Sequence, residues 1–148
     1  MLKQKNETVL SILKELRDIL KSQKPQEPKD QVLDDRFTRL KDGWIRDVRT
    51  GLEWGPSSDK AMKFDEAKKY CADQDGRLPT VDELFSLVDR TKYSPATTIP
   101  GMKSEWYLAS DPVAWNSGYA WGVCFGFGYV GTGGKDGDCY VRPVRSSQ

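Results

Sequence analysis

Residues 76–89 read GRLPTVDELFSLVD, and this stretch contains a turn, a helix start and an apolar helix face. Thr80 is a favourable N-cap, and Glu83 follows it three residues later, which is the spacing of a capping box. The pattern predicts a helix over about residues 81–89. Three apolar side chains of this helix are expected to face a core: Leu84, Leu87 and Val88.

The chain before this stretch predicts one more helix and, upstream of it, short strands. A helix is expected over about 64–74, because Ala67 and Cys71 share a face and acidic residues occupy the first turn. Asp-Gly and Thr-Gly turns separate the apolar segments further upstream, which is typical of a hairpin or meander. The strands expected there are 37–40, 44–47 and 52–54.

The chain after this stretch predicts a loop and then four strands. The loop is expected at 91–104 and the strands at 105–109, 119–125, 127–131 and 138–144. Successive side chains of a strand point to opposite faces. We therefore expect Trp121, Val123 and Phe125 to fill the core. Gly122 and Cys124, which lie between them, are expected to face outward.

The N-terminal residues predict an amphipathic helix over 2–22. Its apolar residues recur in two overlapping heptad frames, so the apolar stripe is wider than that of a dimeric coiled coil. Either the helix packs on its own domain or it bundles with copies of itself. We favour a homo-oligomer, because the next segment is Pro-containing and poorly apolar, as a spacer is. The residues expected at this oligomer contact are Val9, Ile12, Leu13, Leu16, Ile19 and Leu20.

Three regions are therefore expected along the chain. They are the helix at 1–22, a linker at 23–33 and a ligand-binding domain at 34–148. The N-terminus lacks the pattern of a signal peptide. A membrane span needs about 18 consecutive apolar residues, and no segment of the sequence has a run of comparable length. We expect a cytoplasmic protein without membrane insertion, or one displayed on a phage particle or exported by another route.

Composition argues against catalysis and metal binding. The 148 residues include 23 Lys and Arg, 22 Asp and Glu and no histidine, for a net charge of +1. Without histidine the commonest general base and metal ligand are missing. We expect no enzyme activity, no cofactor, no metal and no nucleic-acid partner. Cys71, Cys124 and Cys139 are expected to be thiols, with a Cys124–Cys139 disulfide as the alternative.

Six motifs occur in a recognisable order: DGWIRDVRTGLEW, AKKYC, GRLPTVDELFSLVD, EWYLAS, YAWGVCF and YVRPVR. In this order they resemble the C-terminal domain family of the Legionella collagen-like adhesins, over about residues 36–145. The resemblance implies an α+β, C-type-lectin-like fold, with two helices, short antiparallel sheets and a loop-rich C-terminal half. Many secreted members have a cysteine where this chain has Pro143, so Cys71 lacks the partner that the resemblance implies.

The stretch from Asn116 to Tyr140 is similar to the variable region of proteins diversified by retroelements. In these proteins, randomised adenines of Asn-type codons can give Asn, Ser, Gly, Tyr, Cys, Phe, Thr or Asp, among others, but never Lys, Glu, Gln, Met or Trp. We take eight residues as constant framework: Ala120, Trp121, Val123, Phe125, Gly128, Val130, Lys135 and Tyr140. The seventeen residues between them all belong to the permitted set: 116–119, 122, 124, 126, 127, 129, 131–134 and 136–139.

The resemblance implies that much of this stretch forms a ligand-binding surface. The residues expected on it are Asn116, Ser117, Tyr119, Gly122, Cys124, Phe127, Tyr129, Thr132, Asp136, Asp138 and Cys139. Calcium-dependent sugar binding is not implied, because the Glu-Pro-Asn and Trp-Asn-Asp motifs of the sugar-binding lectins are missing.

The leading hypothesis is a non-enzymatic, oligomeric binding protein with a diversified surface for a protein or glycan ligand. The alternative is an adhesin or phage receptor-binding module of fixed specificity that recognises a glycan or surface protein. A purely structural cap, with its aromatic residues buried in a homo-oligomer, is a further alternative. An enzyme related to the formylglycine-generating branch of the same superfamily is disfavoured, because no reactive cysteine pair or metal site is evident.

Overall fold

A computed structural model describes residues 2–23 and 28–147, and within these ranges the chain is α+β. The helices are α1 (Leu2–Ser22), α2 (Phe64–Asp73) and α3 (Val81–Phe85). The strands are β1 (Gln31–Val32), β2 (Phe37–Arg39), β3 (Ile45–Asp47), β4 (Leu52–Trp54), β5 (Trp106–Val113), β6 (Asn116–Cys124), β7 (Tyr129–Gly134) and β8 (Val144–Ser146). Part of the linker expected at 23–33, and the terminal residues 1 and 148, lie outside the described residues.

The first sheet confirms the predicted meander. It is antiparallel with the strand order β1-β2-β3-β4-β8, so the last strand of the chain pairs with the strand that ends the meander. Trp54 lies opposite Val144 in this pairing, and Phe37 lies opposite Asp47 between β2 and β3. The second sheet contains β5, β6 and β7, also antiparallel, with β6 in the centre.

Two apolar clusters lie on either side of the second sheet. The larger one joins it to the first sheet and α3, through buried Trp54, Tyr107, Phe125, Leu84 and Val144. The smaller one joins it to α2, through Ala67, Cys71, Leu78, Leu108, Ala120 and Val141. The second sheet is therefore partly covered on both faces, which limits the number of its side chains that reach solvent.

The predicted capping box is confirmed at the start of α3. The Thr80 hydroxyl accepts a hydrogen bond from the Glu83 N–H at 3.1 Å, and Glu83 Oε1 accepts one from the Thr80 N–H at 2.8 Å. The helix ends at Phe85, earlier than the expected 89. Beyond it the hydrogen bonds tighten to the three-residue spacing of a 3₁₀ turn, as in Leu87 N–H to the Leu84 carbonyl. This turn still places Leu87 in the core.

The strand expected at 138–144 is wrong, because this segment forms isolated bridges to two neighbours, one of them parallel and one antiparallel, instead of a continuous ladder. Cys139 exchanges hydrogen bonds with Met62, in the connection between β4 and α2, at 3.0 and 2.8 Å. Tyr140 donates to the Trp106 carbonyl at 2.9 Å and accepts from the Leu108 N–H at 3.0 Å, on the side of the second sheet. A continuous ladder forms only from Val144, where β8 begins. We call residues 139–146 the C-terminal spine.

The strand expected at 127–131 begins two residues later and runs to Gly134. The Gly128 N–H bonds to the Cys124 carbonyl at 2.8 Å, and Gly128 has a φ of +87°. Only glycine adopts this conformation at little cost. A tight turn therefore occupies the positions assigned to the start of the strand.

The expectation that Gly122 and Cys124 face outward is wrong. Both are buried, and Cys124 is only 8% exposed. Cys124 lies between Trp106 and Tyr129 in the strand register, and these two aromatic side chains flank it on the same face. Val123 and Phe125 fill the core as expected, whereas Trp121 is half-buried at the core's edge.

The N-terminal helix α1 exposes its apolar face in the described chain. The six residues expected to form an oligomer contact are 50–69% exposed. None of the described helices has the length and the hydrophobicity that crossing a membrane requires.

We expect stability to fall in acid partly through Glu83. Two hydrogen bonds from Arg77, at 2.7 and 2.8 Å, hold the pKa of Glu83 below its ordinary value. A carboxylate with a lowered pKa in the folded state stabilises that state above its unfolded pKa, and the contribution disappears as the pH falls through the folded value. Urea midpoints measured between about pH 6 and pH 2 should therefore depend less on pH in Glu83→Gln than in the wild type.

Glu66→Gln is the matched control, since Glu66 is an exposed carboxylate in the first turn of α2. The control should retain the wild-type pH dependence. A Glu83→Gln profile parallel to that of the wild type would contradict the assignment.

Candidate functional site: a glycine-floored cavity beside an aromatic row

A cavity of about 340 Å³ opens on the second sheet. Four glycines of β6 and β7 contribute to its lining: Gly122, Gly131, Gly133 and Gly134. Further lining residues include Trp106, Leu108, Ala120, Thr132, Asp138 and Cys139. The volume is at the lower end of the range for small-molecule sites, so the cavity has room for one side chain or a small ligand.

The glycines allow Trp106 to lie close to the sheet. A Cβ on Gly131 would be 2.7 Å from Cη2 of Trp106, and a Cβ on Gly122 would be 3.6 Å from its Cε3 and 2.8 Å from the Tyr107 carbonyl oxygen. A larger residue at Gly122 or Gly131 would collide with these atoms. Gly133 differs, because a Cβ there would meet nothing within 4 Å. Neighbouring atoms therefore fill the space above Gly122 and Gly131, whereas the space above Gly133 is free.

An aromatic row continues from the cavity along the second sheet. Trp106 contacts Tyr129 edge to face, with ring centroids 5.5 Å apart, and Phe127 stacks on Tyr129 at 6.4 Å with an interplanar angle of 7°. Phe127 is 72% exposed and Tyr129 50% exposed. We call Trp106, Tyr129 and Phe127 the aromatic row. Exposed rings of this kind supply contact area at low entropic cost.

The β5–β6 hairpin lies at the end of the second sheet that is opposite to the aromatic row. Asn116 and Ser117 are exposed there, and Asn116 Oδ1 accepts a hydrogen bond from the Gly118 N–H at 3.0 Å, which fixes the turn. Trp115 is 72% exposed and packs edge to face on Trp121, with ring centroids 5.8 Å apart. Tyr119 is 41% exposed. This end is polar and aromatic but lines no part of the cavity.

The lining of the cavity carries a negative charge, that of Asp138. Asp138 is exposed at its edge and forms no ion pair within the described residues, and the same is true of Asp136 nearby. Lys135 directs its ammonium group over the Phe64 ring, 4.8 Å from the centroid. The cavity lining contains no cationic residue.

The two cysteines at this site, Cys124 and Cys139, are free thiols. Burial, together with the charge of Asp138, raises the pKa of Cys139, so its thiol is protonated and neutral at pH 7. Cys124 is also free and lies beside Tyr129, whose pKa the neighbouring thiol group raises. In the described part of the chain no cluster of His, Cys, Asp or Glu has the arrangement needed to hold a metal ion.

A family model, described as the Lcl C-terminal domain, matches residues 43–145. The chain belongs to the Lcl C-terminal domain family. The match begins in the turn between β2 and β3 and ends inside β8, so the second sheet, α2, α3 and the cavity lie within the Lcl C-terminal domain, whereas β1 and β2 of the first sheet precede it. The helix α1 lies outside the matched range. No curated protein and no solved structure matched the chain.

Within the Lcl C-terminal domain, the predicted surface residues fall into three groups. Gly122, Thr132, Asp138 and Cys139 line the cavity, and Cys124, Phe127 and Tyr129 belong to or adjoin the aromatic row. The remaining residues lie toward the far end of the sheet: Asn116, Ser117, Tyr119 and Asp136.

Two further residues contribute to the surface and were not among those predicted. Trp106 lines the cavity from β5, on the strand opposite the predicted stretch. Tyr93 is 76% exposed in the 91–104 loop, and the adjacent Ser94 N–H bonds to the Gly126 carbonyl at 2.9 Å. Nothing in the local sequence indicates these positions, because strand pairing and the loop bond bring them there.

We expect Gly122→Ala to destabilise the Lcl C-terminal domain by about 1–3 kcal/mol, because the added Cβ must displace the backbone of β5. Gly133→Ala is the matched control, since its Cβ would enter open space, and it should leave stability within about 0.5 kcal/mol. Chemical denaturation measures both. Equal stabilities for the two variants would show that the packing at Gly122 is not tight.

Proposed function

We propose that this chain is a non-enzymatic ligand-binding protein that displays a diversified surface, of the retroelement-derived kind, on a C-type-lectin-like scaffold. The short antiparallel sheets, the pair of helices and the C-terminal strand that returns to the first sheet are compatible with that scaffold. The proposal places ligand contacts on the second sheet, around the aromatic row and the cavity.

The observation that carries the proposal is the division between exposed and buried positions over 116–140. Of the seventeen permitted residues, eleven are exposed: 116–119, 127, 129, 132, 133 and 136–138. Of the eight framework residues only Val130 is exposed. A surface that tolerates changes of residue needs its variable positions in solvent and its constant positions in the core, because changes of volume in a packed core cost stability. The observed division favours this arrangement.

Three permitted residues are buried, and we exclude them from the proposed variable surface. They are Gly122, Cys124 and Gly126. Gly122 contacts backbone, and a Cβ on Gly126 would lie 3.5 Å from the Cys124 Sγ. Packing therefore excludes a side chain at Gly122, where an added Cβ would lie 2.8 Å from the Tyr107 carbonyl oxygen, whereas at Gly126 a Cβ would make ordinary contacts and burial limits only the size of a larger residue.

The α1 helix would gather several copies of the domain. Its exposed apolar face carries no partner in the described chain, and burying it against identical helices removes that surface from water. Several domains on one assembly would convert weak single contacts into strong multivalent binding, provided that the linker lets them engage together.

A second candidate function is an adhesin of fixed specificity that recognises a glycan or surface protein. Membership of the Lcl C-terminal domain family favours it, since that family is adhesin-like. The two candidates share the same surface and differ only in whether residues 116–139 vary between copies of the gene.

Sequencing the gene and its flanks from many cells of one source population tests the choice. Under the proposal, differences concentrate at the eleven exposed permitted positions, pair with adenines in a nearby near-copy, and spare Gly122 and Gly126. A constant stretch without a near-copy would reject diversification in favour of fixed specificity. Variation spread evenly over buried and exposed positions would reject both.

Oligomerisation is tested separately by sedimentation velocity of the full chain. The wild type should sediment as an oligomer, and Leu16→Gln should shift it toward the monomer, because the substitution places an amide in the apolar contact. Lys14→Gln, on the opposite side of α1, is the matched control and should leave the assembly intact. A monomeric wild type at all concentrations would refute the role of α1.

A further inference from the structure

We propose that the glycine-floored cavity receives the cationic side chain, arginine or lysine, of a protein partner. The inference rests on the proposed function and deepens it, because it assigns a ligand class to one part of the displayed surface.

The lining of the cavity selects for a ligand with an apolar stem. Leu108, Ala120 and Trp106 provide apolar walls, and the glycine floor adds no polar side chain. Arginine and lysine bury their methylene stems along such surfaces while their charged heads stay near solvent. An aromatic wall such as Trp106 also attracts a cation held near it.

Charge at the edge of the cavity selects for a cationic head. Asp138 is the one lining residue with a formal charge at neutral pH, because the Cys139 thiol is protonated. The nearest lysine in sequence, Lys135, is directed to Phe64 instead. A carboxylate or phosphate on the ligand would face Asp138 with no cation to compensate it. A guanidinium or ammonium group would complete a charge-assisted hydrogen bond to Asp138.

The surroundings favour a protein partner over a free small amine. The cavity opens next to the aromatic row, whose Phe127 is 72% exposed. A small amine would fill the cavity and leave these rings in water. A protein that inserts one long side chain brings further surface to cover Tyr129 and Phe127, as the anchor residue of an interface does.

The test uses two probes of nearly the same shape, N-acetyl-arginine methylamide and its uncharged citrulline counterpart. Each is titrated into the isotope-labelled full chain while NMR follows the amide signals of Gly131 and Gly133 and the indole signal of Trp106. The arginine probe should bind with a Kd on the order of 1–10 mM, as expected for a single side chain. The citrulline probe should bind about three- to fivefold more weakly.

Two substitutions make the assignment specific. Asp138→Asn should remove the difference between the probes, whereas Asp136→Asn, the matched control, should retain most of it. Gly133→Val should abolish binding of both probes by filling the open mouth of the cavity, with no loss in thermal stability, because its side chain enters free space on an edge strand.

Each contrary outcome has a distinct meaning. Equal affinities for the two probes would overturn the cationic preference, and sensitivity to Gly133→Val would still keep the cavity as a ligand site under the proposed function. If n-butylguanidinium binds more tightly than the arginine probe, the ligand of the cavity is a small free cation and not the side chain of a protein partner. The lack of any saturable shift at Gly131, Gly133 and Trp106 would overturn the inference, while the sequencing experiment would decide the proposed function independently.

Discussion

The C-terminal spine is the constraint on which the rest of the domain depends. Residues 139–146 bond to Trp106 and Leu108 of the second sheet on one side, and on the other to Gly55 and Met62 in the segment that follows β4 of the first sheet. Farther along, Val144 and Arg77 exchange two hydrogen bonds of 2.9 Å, and β8 then completes the first sheet. Because one extended segment satisfies the backbone groups of both neighbours, the sheets are held in a fixed relation. The cavity lies beside the start of this spine.

A buried cation ties the spine to the long loop. Arg142 is 3% exposed, and it donates from Nε to the Gly55 carbonyl at 2.9 Å and from Nη1 to the Pro100 carbonyl at 2.7 Å. Burial lowers the pKa of Arg142 to about 10, so the group is still charged at neutral pH. The loop, in turn, bonds to the end of β6 through the Ala96 N–H and the Phe125 carbonyl at 2.7 Å. The loop at 91–104 and the turn between β6 and β7 are therefore anchored to the same core.

The second sheet combines tight backbone packing with exposed aromatic rings, and glycine makes the combination possible. Gly122 and Gly131 let the indole of Trp106 approach the strands, while the neighbouring rings of Tyr129 and Phe127 stay exposed. Rigid aromatics among small, adaptable residues are typical of surfaces that recognise protein partners.

The sequence by itself determined those elements whose signals are local. The capping box at Thr80, the apolar face of α2 and the Asp-Gly and Thr-Gly turns of the first sheet depend on residues within a few positions of one another, and each has the predicted form. Alternation in β6 likewise predicted the burial of Val123 and Phe125. The motif order also indicated the family.

Only the tertiary structure decided what covers each face of the second sheet. Alternation assigned Gly122 to solvent, but pairing with β5 brings Trp106 over it, and no local pattern encodes that contact. The C-terminal spine has the composition of a strand, yet its first residues form only isolated bridges, and a continuous ladder begins at Val144. The cavity exists for the same reason. Its lining comes from β5, β6, β7 and the start of the spine, which are brought together by backbone pairing over long separations in sequence.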